Sequence, residues 1–326
     1  MINILFVGFR HGHIESLYKE CVENKDINII GCIESDEKAR NDVANRLSIE
    51  FSDTPYEEFL MRPDVDAVAV GDYYGARGDI ILRAIQARKH VIADKPICTD
   101  LKTLKKIEKA LSLNKVVFAE MLDLRYMKIA QEAKKIVSSG AIGEVKNISF
   151  TGQHCLNYGV RPSWYFEKGK HGGTINDLAI HGVDMVRMIS GLEFKKVQAV
   201  RQWNSYAKEV REFLDSATFM ASLSNGAGVL ADVSYSAPKG DWMNLPTYWN
   251  FDIWCEKGML NLSVSKDKLT LYKEGFTEGE IIIENGGAQE LLIDDFVARI
   301  RGKEGLITNE EIIKSTRVAL LLQSKR

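Results

Sequence analysis

The stretch Ile2-Asn3-Ile4-Leu5-Phe6-Val7-Gly8-Phe9-Arg10-His11-Gly12-His13 decides the fold. A short, almost unbroken apolar run ends at a glycine, and a polar turn with a second glycine follows. An apolar run of this length, bounded by glycine, reads as a strand buried on both faces. Residues 14–22 then change to the pattern of an amphipathic helix. Strand, glycine turn and helix in that order open a βαβ unit.

The alternation repeats outward from there. Strands are expected at 27–33, 65–70, 90–93 and 116–119, and helices at 37–47, 79–88 and 101–113. This is α/β architecture: a doubly wound parallel sheet of Rossmann type, covered on both faces, with its ligand at the C-terminal strand ends. The second half differs. A helix over 121–137 is expected to cross into a second domain. Strands follow at 145–150, 197–203, 215–222, 228–235, 250–255, 258–264, 269–272 and 281–283, and helices close the chain at 291–301 and 310–322. Many strands on short turns make an α+β domain with a large, mostly antiparallel open sheet. One face packs on helices and the other is free to pair with a second copy, so a homo-oligomer is expected. The domains are expected to be residues 1–120, which bind the nucleotide, and 121–326, which bind substrate and oligomerise.

Composition narrows the function class. The 326 residues are 45% hydrophobic and 27% charged, with a net charge of −2. No basic patch with interleaved aromatics points to nucleic acid, and no run is long enough to span a bilayer. Cys21, Cys32, Cys98, Cys155 and Cys255 lie far apart without a CxxC pair, so no zinc site or disulfide framework is indicated. The apolar start lacks a charged leader and reaches Gly8 quickly, which suits a first strand better than a signal peptide. A cytoplasmic setting is expected.

Three places carry chemistry. In the first turn Gly8 begins a GxGxxG-like register, with Arg10 in the second glycine's place, His13 in the third's and Gly12 out of step. A phosphate would lie at the following helix N-terminus, against Phe9, Arg10, Gly12 and His13. Arg10 either brings charge to a pyrophosphate or hinders its approach, and the sequence leaves both open. Glu34, at the end of the second strand, can accept the ribose hydroxyls and repel a 2′-phosphate, which favours NAD over NADP, although Lys38 and Arg40 lie nearby. Asp94-Lys95-Pro96 ends the fourth strand, where a lysine can polarise a substrate carbonyl. The third place is Gly172-Gly173-Thr174-Ile175-Asn176-Asp177-Leu178-Ala179-Ile180-His181. On a helix, Asp177 and His181 share a face, and a histidine beside a carboxylate can move protons near neutral pH. The two glycines would let that helix begin close to substrate.

The aromatic loop 153–170 is expected to cover a binding site. It holds His154, Tyr158, Arg161, Trp164 and Tyr165, with Trp164 offering a stacking face for a sugar ring. Arg125, Tyr158, Trp164 and Asn176 are the expected substrate contacts. Loop 237–246 is polar and aromatic, of a kind that borders substrates, but the sequence does not place it.

The order of the Gly8 turn, Glu34, Asp94-Lys95-Pro96 and Gly172-Gly173-x-x-x-Asp177-x-x-x-His181 resembles the glucose–fructose oxidoreductase, inositol dehydrogenase and rhizopine-catabolism family (Gfo/Idh/MocA). Ala141-Ile142-Gly143-Glu144-Val145 resembles that family's entry into its second domain. The resemblance implies hydride transfer between NAD(P) and a sugar, polyol or related alcohol. It implies that Lys95 is the active-site lysine, Asp177 the active-site acid and His181 the general acid/base. The chain departs from the family in three places. Asp94 replaces the usual glutamate, the glycine turn is altered, and Gly71-Asp72-Tyr73-Tyr74-Gly75 lacks the usual Thr-Pro-Asn. Two alternatives stand beside a dehydrogenase: a sugar- or nucleotide-sensing protein without turnover, and an NAD-assisted glycosidase or epimerase.

Overall fold

Five short strands, apolar at their buried positions except for Glu120, pair in parallel: β1 (Ile2–Val7), β2 (Ile27–Ile33), β3 (Ala67–Val70), β4 (His90–Ala93) and β5 (Phe118–Glu120). The computed structural model describes residues 1–325. The strand order is β2-β1-β3-β4-β5, so the chain reverses direction across the sheet between β1 and β3. That reversal opens a crevice at the C-terminal strand ends. Helices α1 (Gly12–Glu23), α2 (Glu37–Leu47), α3 (Tyr56–Met61), α4 (Tyr74–Gln86) and α5 (Leu101–Leu113) connect the strands. Asp36 and Asp100 cap α2 and α5 through their carboxylates. The short helix α3 has no counterpart in the sequence reading; Pro55 precedes it and Glu57 and Glu58 occupy its first turn, both ordinary helix-start signals.

The chain divides into two compact units with a main boundary at residue 121, each assembled from more than one segment. Residues 162–172 and 291–314 fold with the N-terminal sheet, while 122–161, 173–290 and 315–325 form the other unit. The 162–172 segment joins the first unit because its aromatics are buried there. Trp164 and Tyr165 pack with Tyr74, and the Tyr74 and Tyr165 hydroxyls are 2.8 Å apart.

The expected helix 121–137 is broken. A 3-10 turn, Asp123–Tyr126, precedes helix α6 (Lys128–Ser138), and Met127 between them is extended, with ψ 140°. Met127 leaves the helix to pair with Ala288 in an antiparallel bridge, a tertiary contact invisible to periodicity.

The second unit is built on eight strands. β6 (Val145–Cys155) leads to helix α7 (Ile180–Ser190), and β7 (Phe194–Trp203), β8 (Ser216–Leu223), β9 (Gly228–Ala237), β10 (Asn250–Cys255), β11 (Gly258–Ser263), β12 (Lys268–Lys273) and β13 (Glu280–Glu284) follow. Their order is β13-β12-β11-β10-β6-β9-β8-β7, antiparallel except for the parallel pair β6–β9. Helices α6 and α7 pack together on one face. Gly182 of α7 sits on the Phe150 ring of β6, and a Cβ there would come within 2.1 Å of it. Helices α8 (Leu292–Ile300) and α9 (Asn309–Gln323) end the chain. No helix among the described residues is long and apolar enough to cross a membrane.

Candidate active site

In the N-terminal unit a buried ionic cluster gathers the strand ends around Asp94. Arg77 is fully buried on α4. Its Nη2 donates to Asp94 Oδ2 at 2.7 Å, its Nε to the Asp72 carbonyl at 2.7 Å and its Nη1 to the Lys95 carbonyl at 2.5 Å. His11 Nδ1 lies 2.7 Å from Asp94 Oδ2 and His13 Nδ1 3.1 Å from Oδ1. Burial by itself would raise the Asp94 carboxyl, but Arg77, His11 and His13 together hold it well below the usual carboxylate range. Burial lowers the His11 imidazole to about 4 against the partial opposition of Asp94, so His11 is neutral at pH 7.

The first turn has the features that a dinucleotide needs. Gly8 has φ +80°, and a Cβ there would lie 2.6 Å from Asp72, so the turn closes only with glycine. His11 precedes α1 without a side-chain cap. Gly12 faces open space, with nothing within 4 Å of where a Cβ would stand. The Gly12 and His13 amides find no acceptor among the described residues, which suits a pyrophosphate at a helix N-terminus. Arg10 turns aside instead, 3.3 Å from Asp36 and over the Tyr73 ring. Glu34 is buried, and its two oxygens accept the Phe9 amide at 2.6 Å and the Asp36 amide at 2.8 Å. Burial raises the Glu34 carboxyl while those amides oppose it. Each oxygen keeps a lone pair for a ribose hydroxyl. Lys95 is buried beside this cluster.

In the C-terminal unit the expected α-helix at 175–181 begins differently. Ile175–Ala179 is a π-helix that runs into α7. Such wide turns recur at functional sites, and this one changes the angle between Asp177 and His181 from a regular i,i+4 pair. The Tyr235 hydroxyl of β9 donates to Asp177 Oδ2. His181 packs edge-on against Trp249 with ring centroids 5.4 Å apart. Arg161 stands over the Tyr235 ring at 5.2 Å and is tied to the Leu156 carbonyl at 2.7 Å. The glycines before this segment have a different use from the one expected. Gly173, with φ +99°, makes room for Gln323, whose amide would be 2.2 Å from a Cβ. Gln323 Oε1 then accepts the Ile175 and Asn176 amides at 2.9 and 3.2 Å, capping the π segment from α9.

Two of the expected substrate contacts are buried and engaged by other residues. Arg125 is 1% exposed and grips Asp184 of α7 with Nε at 2.9 Å and Nη2 at 2.6 Å. Trp164 is 1% exposed, with its indole N–H donating to the Arg10 carbonyl at 3.2 Å, so its faces are consumed by packing. Tyr158 is exposed in the turn after β6, and Asn176 is fully buried. Sequence reasoning missed His11, Arg77, Tyr235 and Trp249. Arg77 left a trace: it shares the apolar face of α4 with Ile81 and Ala84, where a charge implies a buried partner. Tyr235 left none, since an aromatic in an alternating strand is ordinary core.

Comparison with known proteins follows the same division. A family model described as "Oxidoreductase family, NAD-binding Rossmann fold" matches residues 2–121, and one described as "GFO/IDH/MocA C-terminal domain" matches 130–261. The chain is similar to levoglucosan dehydrogenase of Pseudarthrobacter phenanthrenivorans, 29% identical over 49% of this chain and 41% of that one. It is similar to scyllo-inositol 2-dehydrogenase (NAD(+)) of Bacillus subtilis, 28% identical over 61% of this chain and 57% of that one. The matched stretch thus spans about half the length of these relatives. Among solved structures, aldose-aldose oxidoreductase from Caulobacter crescentus complexed with glycerol superposes with a TM-score of 0.80 at 16% identity, covering 98% of this chain and 96% of that one. Levoglucosan dehydrogenase in complex with NADH and L-sorbose does so with 0.81 at 17% identity, covering 99% and 97%. Those likenesses show the shared fold.

The neutral His11 makes a pH prediction. Its pKa falls from the usual 6.5 to about 4 on folding. Between those values the unfolded chain binds a proton that the folded chain refuses, so stability falls as pH drops through that window. The difference amounts to about 3 kcal/mol once both values are passed. His11→Asn is expected to flatten the unfolding midpoint against pH between about 6.5 and about 4. A native and a variant profile that run parallel there would overturn the assignment.

Proposed function

Since the chain belongs to the Gfo/Idh/MocA family, we propose that it is an NAD-dependent oxidoreductase acting on the CH–OH group of a sugar, polyol or related alcohol. The single observation that carries this reading is the Asp177–Tyr235 and His181–Trp249 arrangement at the start of α7, which fixes an acid and an imidazole in a buried setting. Residues around the first turn fit the cofactor: the Gly12 and His13 amides for the pyrophosphate, and Glu34 for the ribose. Gly8, Phe9, Asp94 and Lys95 shape the same strand ends. Bound NAD would supply the hydride acceptor.

The chain's own residues manage the proton and the charge. His181 takes the hydroxyl proton of the carbinol as general base and returns it in the reverse direction. Lys95, a donor without acceptor capacity, stabilises the developing alkoxide. Asp177, held by the Tyr235 hydroxyl, orients the substrate hydroxyl. Asp94 does not titrate in the working range, because Arg77 and the two imidazoles keep it ionised.

The reading includes a homo-oligomer formed through the C-terminal sheet. Met220 of β8 and Leu230 of β9 are cross-strand neighbours on the face away from the helices, 44% and 49% exposed. Trp254 of β10 adds a third large apolar side chain, 49% exposed. Apolar side chains in that arrangement mark an association face. A cytoplasmic setting is part of the proposal; the five cysteines are free thiols, four of them buried.

Three outcomes are expected. His181→Ala should lower turnover by about 10²–10⁴-fold, read by NADH absorbance on a sugar and polyol panel, while heat-shift titration still shows NAD binding. Full turnover in that variant sinks the acid/base role, and absence of NADH release by the native protein sinks net oxidation. Glu34→Ala should weaken NAD and erase discrimination against NADP; an unchanged preference removes Glu34 from the ribose site. Leu230→Glu should reduce the assembly to monomers by light scattering. A native protein already monomeric at working concentration rules out the interface.

A further inference from the structure

His11-Gly12-His13 places an imidazole on each side of a glycine, and Asp94 follows the fourth strand opposite them. His11 is extended, with φ −132° and ψ 143°, and α1 begins at Gly12. A chain that passes from extended to helical at a glycine can aim residues i and i+2 at one point. Here both rings aim at the Asp94 carboxylate. Their Nδ1 atoms lie 2.7 and 3.1 Å from its two oxygens, and the ring centroids are 4.4 Å apart. One atom from each of the three residues lies within 4.8 Å of the other two. Among the described residues this is the one group of three or more histidine, cysteine or carboxylate side chains that converges so closely.

The cysteines point to no zinc site, but two imidazoles and a carboxylate are a different donor set, one that suits a borderline divalent cation. A tetrahedral ion with bonds of about 2.1 Å needs its ligand atoms roughly 3.4 Å apart. The distances here bracket that value, so small ring rotations seat the ion, with each imidazole proton carried on Nε2. The ligands are also held from behind. Arg77 Nη2 donates to Asp94 Oδ2 at 2.7 Å, and Tyr74 packs edge-on to His11 with centroids 5.5 Å apart. Such outer contacts orient metal ligands. The Asp94 side chain is fully buried while that of His13 is 40% exposed. The ion therefore enters past His13, where a water or a ligand oxygen completes its coordination.

Charge decides which ion is held. The Arg77 guanidinium offsets the Asp94 carboxylate, and α1 presents the positive end of its dipole. Both oppose a cation. A hard ion such as Mg²⁺, which relies on charge and oxygen ligands, is not retained, whereas Zn²⁺ or Co²⁺ bonds imidazole nitrogen. The opposition is relieved when an anion takes the N-terminus of α1 beside it.

We propose that His11, His13 and Asp94 bind a divalent cation of the zinc type, and that this ion and the nucleotide pyrophosphate tighten each other's binding. The coupling rests on the reading of the first turn as the pyrophosphate seat; the cation site does not. Linkage requires each ligand to strengthen the other by the same factor.

The test titrates tag-free protein, stripped with chelator, with CoCl₂ followed in visible absorbance. One equivalent of Co²⁺ per chain is expected, displaced by ZnCl₂ and not by MgCl₂. His13→Ala should weaken Co²⁺ at least about 100-fold, the upper size of the loss when only an outer contact is removed. His13→Cys should restore binding and add a thiolate-to-cobalt band in the near ultraviolet, which a cation bound elsewhere would not show. Circular dichroism checks folding. By calorimetry NAD should bind about tenfold tighter with ZnCl₂ present, and His13→Ala should abolish that gain. A native protein that takes up no stoichiometric Co²⁺, or Co²⁺ binding that His13→Ala leaves unchanged, overturns the site. Zn²⁺ bound at His13 without effect on NAD overturns the coupling and leaves the site standing. A protein that takes up Co²⁺ with the His13 dependence but binds no NAD removes the nucleotide reading and the coupling, and again leaves the site.

Discussion

A guanidinium taken out of water must find an acceptor for nearly every N–H, and that demand organises both units. Arg77 meets it by reaching the Asp72 carbonyl after β3 and Asp94, Lys95 and Pro96 after β4. Two strand ends are thereby fixed to one helix. Arg125 meets it in the other unit through both oxygens of Asp184, and Ser315 adds a donor to Oδ1 at 3.0 Å. Asp184 lies three residues after His181, so this pair sets the rotation of α7 about its axis and with it the direction of the imidazole. Buried pairs of this kind add little net stability, because desolvation offsets the attraction, yet removing one partner costs about 3–5 kcal/mol. Their contribution is geometric: they make the alternatives expensive.

That constraint explains which parts of the molecule were legible in the sequence. The parallel sheet could be read because its strands are short and apolar on both faces, and nothing else gives that pattern between amphipathic helices. Lys95, Asp177 and His181 stand out in the sequence because each belongs to a spaced motif, and that is what makes them candidates. The burial of Arg125 and Trp164 was not legible, for one shared reason. A large polar or amphipathic side chain in a loop looks available, and only its tertiary partners, Asp184 and the Arg10 carbonyl, show that it is spent. Tyr235 and Trp249 sit in strand-rich sequence where aromatics are unremarkable. Their importance comes from cross-strand register and from the Gly152 vacancy, neither of which is local information.

The π segment illustrates the limit most sharply. The sequence places Asp177 and His181 four residues apart, and a regular helix would stack them. One wider turn at Ile175–Ala179 separates their tasks: Asp177 goes to Tyr235 on the sheet and His181 to Trp249. A wide turn leaves backbone amides poorly matched at its start, and Gln323 from the far end of the chain satisfies two of them. Gly173 is glycine so that this distant amide can approach. The motif is local, but its geometry depends on the last helix.

The altered cofactor turn follows the same logic, because its two departures meet in one cluster around Asp94. Asp94 is one methylene shorter than the glutamate usual in the family, and its carboxylate meets the first turn at His11 and His13. His11 folds inward to donate to Asp94 and packs edge-on to Tyr74 at 5.5 Å. Because His11 is turned inward and Arg10 is drawn off toward Asp36, neither bulky side chain covers the start of α1. Gly12 then faces open space even though it is out of register with the usual fingerprint. What a phosphate requires is exposed helix amides without side chains in front of them. Here that condition is reached by pulling side chains away, where the usual pattern reaches it by omitting them.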